Sequence, residues 1–588
     1  MVQSTLKTKP AAKKRPLPEN DDDDDSMGEG SVLSNTPPSA KKQKKAPPLK
    51  KAGGVPLAEV ENDSMVIDEA PQAPKQKKSA TETYQKLTQL EHIIKRPDTY
   101  IGSVEKTEQQ MWVYNKDTEQ MEYKNVSFVP GFYKIFDEIL VNAADNKQRN
   151  HDMTTMKVTI NKESGEISVE NNGKGIPVVI HEKEKIYIPE LIFGHLLAGS
   201  NFDDNEQKTV GGRNGYGAKL CNVFSTEFTL ECQDSEHGKR YKQTWTDNMQ
   251  KMGKAKITSS KTSDFVRVTF KPDYQRFGMA EGIDDQLESL LYRRVYDMAG
   301  TVRNVKVYLN GTQIKIKDFK SYCNMYAKAI SNERSAEEGG SPTTTVEIDE
   351  DKGHPRWEVG FTVSDGTFQQ VSFVNSIATT SGGTHVNYIA DQITAALLKR
   401  LNKNKKGHTL KQNHLRNHIF IFVNCLINNP AFTSQTKEQM TTKPSQFGSK
   451  CVLGEKFLKK VEKSEAIQNI MAFAEHKADK LMAKSDGSKR SRVSNAKLVE
   501  ANLAGTRRGH ECTLILTEGD SAKALAVSGR AILDPDRIGV FPLRGKLLNV
   551  RDATIDQISK NQEIQNIKQF LGLKHKQSYT DTKSLRYG

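Results

Sequence analysis

A carboxylate and an amide on one predicted helix, Glu138 and Asn142, have the types and spacing that suit nucleotide hydrolysis. Glu138, Asn142 and Asp145 fall at i, i+4 and i+7, so a helical backbone gathers them on one side. Hydrolysis needs a base within hydrogen-bond reach of the attacking water, and Mg²⁺ takes hard oxygen ligands beside substrate phosphates. Glu138 suits the base and Asn142 the metal ligand. Phe132, Ile135, Phe136, Ile139, Leu140 and Ala143 recur at helical spacing on the opposite side, giving a face that packs. Taken alone, the same pattern also suits a solvated amphipathic helix.

A triphosphate further requires backbone amides that approach without obstruction. The run Gly211-Gly212-Arg213-Asn214-Gly215-Tyr216-Gly217-Ala218-Lys219 precedes a predicted helix over 218–223, and loop amides aimed from a helix N-terminus make a phosphate cradle. It is neither a Walker A loop, lacking Gly-Lys-Ser/Thr after the spaced glycines, nor the dinucleotide Gly-x-Gly-x-x-Gly pattern. A flexible loop without ligand stays open on spacing alone. Upstream, β-rich runs at 156–160 and 167–169 flank residues 161–166 as in a hairpin. The second run empties into Asn171-Asn172-Gly173-Lys174-Gly175, where the Asn171 amide oxygen can accept from an exocyclic amine, although Asn-Gly is also an ordinary turn.

Read together, Phe136 to Asn146, Asn171 to Gly175 and Gly212 to Lys219 resemble the ATP site of the superfamily of gyrases, heat-shock chaperones, histidine kinases and mismatch-repair ATPases, the GHKL fold. Their wording is similar to that of eukaryotic type II DNA topoisomerases. The resemblance implies that Glu138 is the general base and that Asn142 coordinates Mg²⁺. It places Asn171 on adenine, Gly199, Ser200 and Asn201 near the nucleoside, and Gly212, Arg213, Asn214, Gly215, Tyr216, Gly217, Ala218 and Lys219 around the triphosphate. Many relatives carry Asp where Asn171 stands, and an amide oxygen still accepts the adenine proton. Tyr84, before the domain, is expected at the partner's nucleotide site in a homodimer.

Downstream, Asn375 to His385 looks like the transducer domain that follows the ATPase in these enzymes. Ser434-Gln435-Thr436-Lys437 resembles its loop that reaches the γ-phosphate, so Gln435, Thr436 and Lys437 are expected on ATP. From Cys512, a short strand, the turn Glu518-Gly519-Asp520-Ser521 and a helix resemble the opening of a TOPRIM domain, in which Glu518 would help hold Mg²⁺ for DNA cleavage. Its second acidic cluster should follow Leu585-Arg586-Tyr587-Gly588, and Asp534-Pro535-Asp536 is read as a loop that only imitates it. ATPase activity without DNA cleavage is therefore expected of these residues. Another GHKL ATPase would share the Glu138 and glycine motifs but lack Glu518-Gly519-Asp520-Ser521. An idle DNA-clamping module is the second alternative.

The expected fold is α/β: a disordered tail over 1–80, a GHKL α/β sandwich over 81–315, a β-α-β transducer over 316–480, a linker over 481–510 and a partial TOPRIM fold over 511–588. The tail holds 10 of the 21 prolines and no aromatic residue, too little apolar surface to offset ordering entropy. Its clusters at 13–15, 41–45 and 75–78 resemble nuclear localisation patches, or merely solubilise. Lysine and arginine number 87 against 73 acids, a surplus of 14 positive charges that suits duplex DNA. Lys403, Lys405 and Lys406 form a basic segment for its phosphates or for solvent. The six cysteines lie far apart with no Cys-x-x-Cys pair, which argues against a disulfide framework or structural zinc. The most apolar run, Ile419 to Val423, is far too short to span a bilayer, so no membrane partner is expected.

Overall fold

The computed structural model describes residues 86–588 except 200–205, 213, 339–345, 350–353, 365, 404–410, 491–492, 552 and 554. The predicted tail, Tyr84, Ser200, Asn201, Arg213, Lys405 and Lys406 thus lie outside the described residues. The described chain begins with a helix, Gln89–Lys95, whose first turn is closed by a capping box between Thr88 and Glu91. That box satisfies amides a helix leaves orphaned, and the element ends at Lys95, with Arg96 as its C-cap ahead of Pro97.

A hairpin of β1 (Thr107–Asn115) and β2 (Gln120–Phe128) leads into the helix Pro130–Arg149, which has proline in its first turn. The predicted hairpin forms as β3 (Thr155–Asn161) and β4 (Glu166–Asn172), antiparallel with Asn161 opposite Glu166. It sits inside a nine-stranded sheet with β5 (Ser225–Asp234), β6 (Lys239–Thr246), β7 (Lys251–Met252), β8 (Lys256–Ser259), β9 (Phe265–Pro272), β10 (Lys306–Leu309) and β11 (Thr312–Gln313). The order is β11-β10-β3-β4-β9-β5-β6-β7, with β8 also on β6. Alternate residues of β3 are buried, as a sheet with one covered face requires. That face packs Val158, Val169, Phe228 and Phe270 against Phe132, Phe136 and Leu140 of the Pro130–Arg149 helix. The result is the expected α/β sandwich.

The transducer is a five-stranded sheet ordered β12-β13-β16-β14-β15, from Glu347–Ile348, Trp357–Val363, Ile419–Cys425, Gln369–Val374 and Ile377–Ala378 in that order. β14 runs parallel to β16, and the crossover between them contains the helix Thr384–Lys403. Every residue of β16 is buried. Ile421 and Val423 face the Thr384–Lys403 side with Ile389 and Ile393, while Phe420 and Phe422 face Tyr322 and Tyr326 of the helix Phe319–Glu338. Burial on both faces is why this strand reads as an unbroken apolar run. Among the described residues no helix is long and apolar enough to cross a membrane.

Sandwich and transducer are joined through a buried arginine. Arg294, on the helix Asp285–Thr301, donates from Nε to Asp137 Oδ1 at 2.6 Å and from Nη2 to Ser376 O at 2.6 Å. Asp137 belongs to the helix that carries Glu138, and Ser376 to the turn between β14 and β15.

The last unit pairs β17 (Thr513–Glu518) and β18 (Ile538–Leu543) in parallel through the helix Gly519–Leu533. Part of the stretch expected as a linker packs onto it. Val499 and Val540 exchange backbone hydrogen bonds of 2.9 and 2.8 Å, and Ala501 N donates to Tyr587 Oη at 3.0 Å. The Asp534-Pro535-Asp536 segment is a loop whose carboxylates are engaged, Asp534 by Arg537 at 2.9 Å and Asp536 by Asn502 at 2.8 Å.

Candidate active site

The helix Pro130–Arg149 is buried nearly all round, including Lys134, Asp137, Glu138 and Asp145. The solvated-helix alternative therefore does not hold, because the glycine loop and the transducer cover its polar side. A carboxylate enclosed this way must be compensated. Glu138 Oε1 receives Lys134 Nζ at 2.8 Å from one turn earlier and Lys437 Nζ at 3.3 Å from the transducer. Burial alone would raise the Glu138 pKa, yet these two ammonium groups outweigh it and hold the carboxyl at about 2. Burial likewise works against the charge on Lys134, and Glu138 and Asp137 more than restore it.

Asp145 uses both its oxygens on the glycine loop. Gly211 N donates to Oδ1 at 2.7 Å and Gly212 N to Oδ2 at 2.8 Å. Burial dominates here, pushing its pKa up to about 6 against those two bonds. Further along, Gly217 opens the short helix Gly217–Val223 against Glu138, where an added Cβ would collide with Glu138 Oε2. Gly217→Ala should therefore displace the carboxylate and lower turnover by about 10²-fold, since misplacement of about 1 Å costs that much. Steady-state hydrolysis at saturating ATP reads this; an unchanged rate would mean that Glu138 has room to move without loss.

Between these elements lies a cleft of about 490 Å³. Ile139, Val169, Ile176, Val266 and Val268 give it an apolar wall beside Asn171, while Glu138, Asn142, Gly212 and Gly215 line its polar end. A flat base against apolar side chains and phosphates against amides is what this division accommodates. Lys219 Nζ donates to Gly215 O at 2.6 Å and to Ala198 O, and burial lowers its pKa to about 8. Two transducer residues close the polar end: Lys437 on Glu138, and Gln435, whose Oε1 accepts from Asn214 Nδ2 at 2.7 Å.

Of the sequence-predicted residues, Glu138, Asn142, Asn171, Gly199, Gly212, Asn214, Gly215, Tyr216, Gly217, Ala218, Lys219, Gln435 and Lys437 line this one cleft. Thr436 is absent from the lining; its methyl group faces Gly102 and its hydroxyl bonds Ser434 Oγ at 2.6 Å. Lys403 ends the helix Thr384–Lys403. Glu518 stands exposed at the end of β17, and among the described residues no cluster of three metal-donor side chains forms around it. Two functional candidates carry no role in the sequence reading. Lys134 was visible as the i−4 neighbour of Glu138, whereas the partners of Asp145 lie 66 and 67 residues away.

Mg²⁺ suits the polar end of the cleft. Asn142 contributes one amide oxygen to the lining beside Gly212, and the amides of Gly211 and Gly212 occupy the neighbouring Asp145 carboxylate. One protein oxygen, with substrate phosphates and water completing the shell, is the way Mg²⁺ is commonly held.

Comparison with known proteins gives two family matches. Residues 129–276 match the family described as histidine kinase-, DNA gyrase B- and HSP90-like ATPase, and residues 316–489 that described as DNA gyrase B. DNA topoisomerase 2 of Penicillium chrysogenum is 65% identical over 539 residues, 91% of this chain and 34% of that protein. The Saccharomyces cerevisiae enzyme is 54% identical over 515 residues, 87% of this chain and 36% of its own length. The chain thus spans about a third of the length of these relatives. Among solved structures, the ATPase region of Saccharomyces cerevisiae topoisomerase II superposes with a TM-score of 0.62 at 52% identity, covering 68% of this chain and 100% of that one. The ATPase and transducer domains of topoisomerase II from Balamuthia mandrillaris give 0.63 at 42% identity, covering 68% and 99%.

Proposed function

Because the chain belongs to the type II DNA topoisomerases, we propose that it carries the ATP-operated gate of an enzyme that passes one DNA duplex through another. ATP occupies the 490 Å³ cleft, with adenine at Asn171 and the apolar wall and the phosphates under the glycine-loop amides. Asn142 holds Mg²⁺, which supplies charge neutralisation at the phosphates. Glu138 takes the proton of the attacking water.

The observation that carries this reading is the contact between Lys437 and Glu138 across the cleft. A carboxyl held at about 2 is a feeble base at neutral pH. One ammonium cannot serve a carboxylate and a γ-phosphate equally. When the γ-phosphate draws Lys437 away, one of the two cations opposing burial leaves, and the basicity of Glu138 rises. ADP offers no such group. The triphosphate therefore both stabilises the transducer in the Lys437-engaged position and releases the base, and its differential affinity shifts the population towards a closed homodimer. By the same resemblance Ser200, Asn201 and Arg213 are assigned to the nucleotide and Tyr84 to the partner's nucleotide site, while Thr436 stands outside the lining. Duplex DNA is the captured partner, met by the basic segment with Lys403, Lys405 and Lys406, in the nucleus. Glu518, exposed at the end of β17, marks the TOPRIM portion.

Phosphate release measured with and without duplex DNA, alongside sedimentation with ATP or ADP, tests the proposal. DNA-stimulated release and ATP-selective dimerisation are expected. Release indifferent to DNA would favour a generic ATPase of the superfamily, and equal dimerisation with both nucleotides would defeat the γ-phosphate reading.

A further inference from the structure

Away from the nucleotide cleft, the transducer brings an aspartate and a histidine of the β12–β13 connection together with a cysteine from a second segment. Donor atoms of Asp349, His354 and Cys451 all lie within 4.8 Å of one another. Asp349 follows β12, His354 precedes β13, and Cys451 lies just ahead of the helix Glu455–Lys463. The backbone under each is fixed by bonds that need no ion. Asp349 N donates to Val359 O at 2.9 Å, Trp357 N to His354 O at 2.9 Å, and Gln392 Nε2 to Cys451 O at 3.0 Å. The imidazole is oriented too: His354 Nε2 lies 2.7 Å from Val452 O. A carbonyl only accepts, so Nε2 carries a proton and donates it to Val452 O. Metal-binding histidines are commonly set in this way, by a carbonyl on the other ring nitrogen.

We propose that Asp349, His354 and Cys451 hold one divalent ion of the zinc type, a structural site separate from the ATP-linked Mg²⁺. The donor set decides the class of metal. Thiolate and imidazole are borderline-soft ligands that favour zinc or cobalt, whereas Mg²⁺ and Ca²⁺ take oxygen alone. Ionised cysteine and aspartate together balance the dication, and three protein ligands leave a fourth tetrahedral position for water. Bonds of about 2.0–2.3 Å put tetrahedral donors roughly 3.5 Å apart, so closure asks the cluster to contract by about 1 Å, within side-chain rotation. Asp349 and His354 are partly exposed and Cys451 is buried, so the site lies between the core and the surface. Bound metal would tie the short outer strand β12 to the segment carrying Cys451, at the edge of the transducer sheet.

Cobalt titrated into the reduced, metal-stripped chain should give tetrahedral d–d bands and a thiolate-to-cobalt charge-transfer band that saturate at one equivalent. Zinc should displace the cobalt and raise the melting temperature, while excess Mg²⁺ should do neither. Cys451→Ser should abolish the charge-transfer band. Because Cys451 lies in the transducer core, Asp349→Asn and His354→Gln serve as variants at partly exposed positions, and each should weaken cobalt binding at least about tenfold. A folded, reduced chain without the charge-transfer band would overturn the proposal. So would a band that survives Cys451→Ser, or affinities unchanged in both other variants.

Discussion

Glu138→Gln is expected to reduce ATP turnover by about 10²–10⁴-fold, the range that a positioned general base contributes, while the chain still binds ATP. The amide keeps the size of the side chain but has no basic oxygen for the proton of water. It also removes the carboxylate that Lys437 contacts at 3.3 Å, so the lysine no longer has to leave an ion pair to meet the γ-phosphate. Binding should therefore be retained or tightened, which separates this outcome from misfolding. Lys134 keeps Asp137 at 3.5 Å as a counter-ion, so the helix does not bury an uncompensated charge. Single-turnover hydrolysis beside equilibrium nucleotide binding provides both readouts; turnover at the parental rate would remove Glu138 from the base role.

Lys437→Ala should have the second largest effect. A hydrogen bond to a charged group contributes about 1.5–3 kcal/mol, so the preference for ATP over ADP should fall by roughly 10–100-fold, most of it through weaker ATP binding. The same substitution should move the acid limb of kcat/KM to higher pH. Burial raises the Glu138 pKa, Lys134 and Lys437 lower it, and removing one of the two cations leaves burial less opposed. A residue that merely packs would change affinity without moving that limb. Lys437→Arg should restore part of both effects, since it returns the charge in a different shape. Calorimetric affinities for the two nucleotides and a pH–rate profile decide the matter; an unmoved acid limb would mean that Lys437 does not control the base.

Much of this site was legible because it is written in local spacing. The i, i+4 step from Glu138 to Asn142, the β3–β4 hairpin that empties into Asn171, and the glycines of the cradle each occupy a single short segment. The apolar run of β16 also showed itself, although sequence alone could not say that sheet neighbours and two layers of helix cover it. What stayed hidden depends on chain separation. Glu138 meets Lys437 from 299 residues away, and no periodicity reports such a contact. The role of Asp145 in pinning the glycine loop exists only once the loop folds back onto the helix. Cysteine spacing likewise tests for local zinc motifs and is silent on donors, such as Asp349 and Cys451, brought together from opposite sides of a crossover. Residues around Val499 read as a linker because their polar composition conceals a pair of backbone bonds to Val540.

The bridge formed by Arg294 has a mechanical consequence. A planar guanidinium with bonds of 2.6 Å to Asp137 and to Ser376 O has almost no slack, so the two layers it spans must turn as one stiff body at that point. A displacement of the β14–β15 turn at Ser376 is then passed to Asp137, the neighbour of the proposed base.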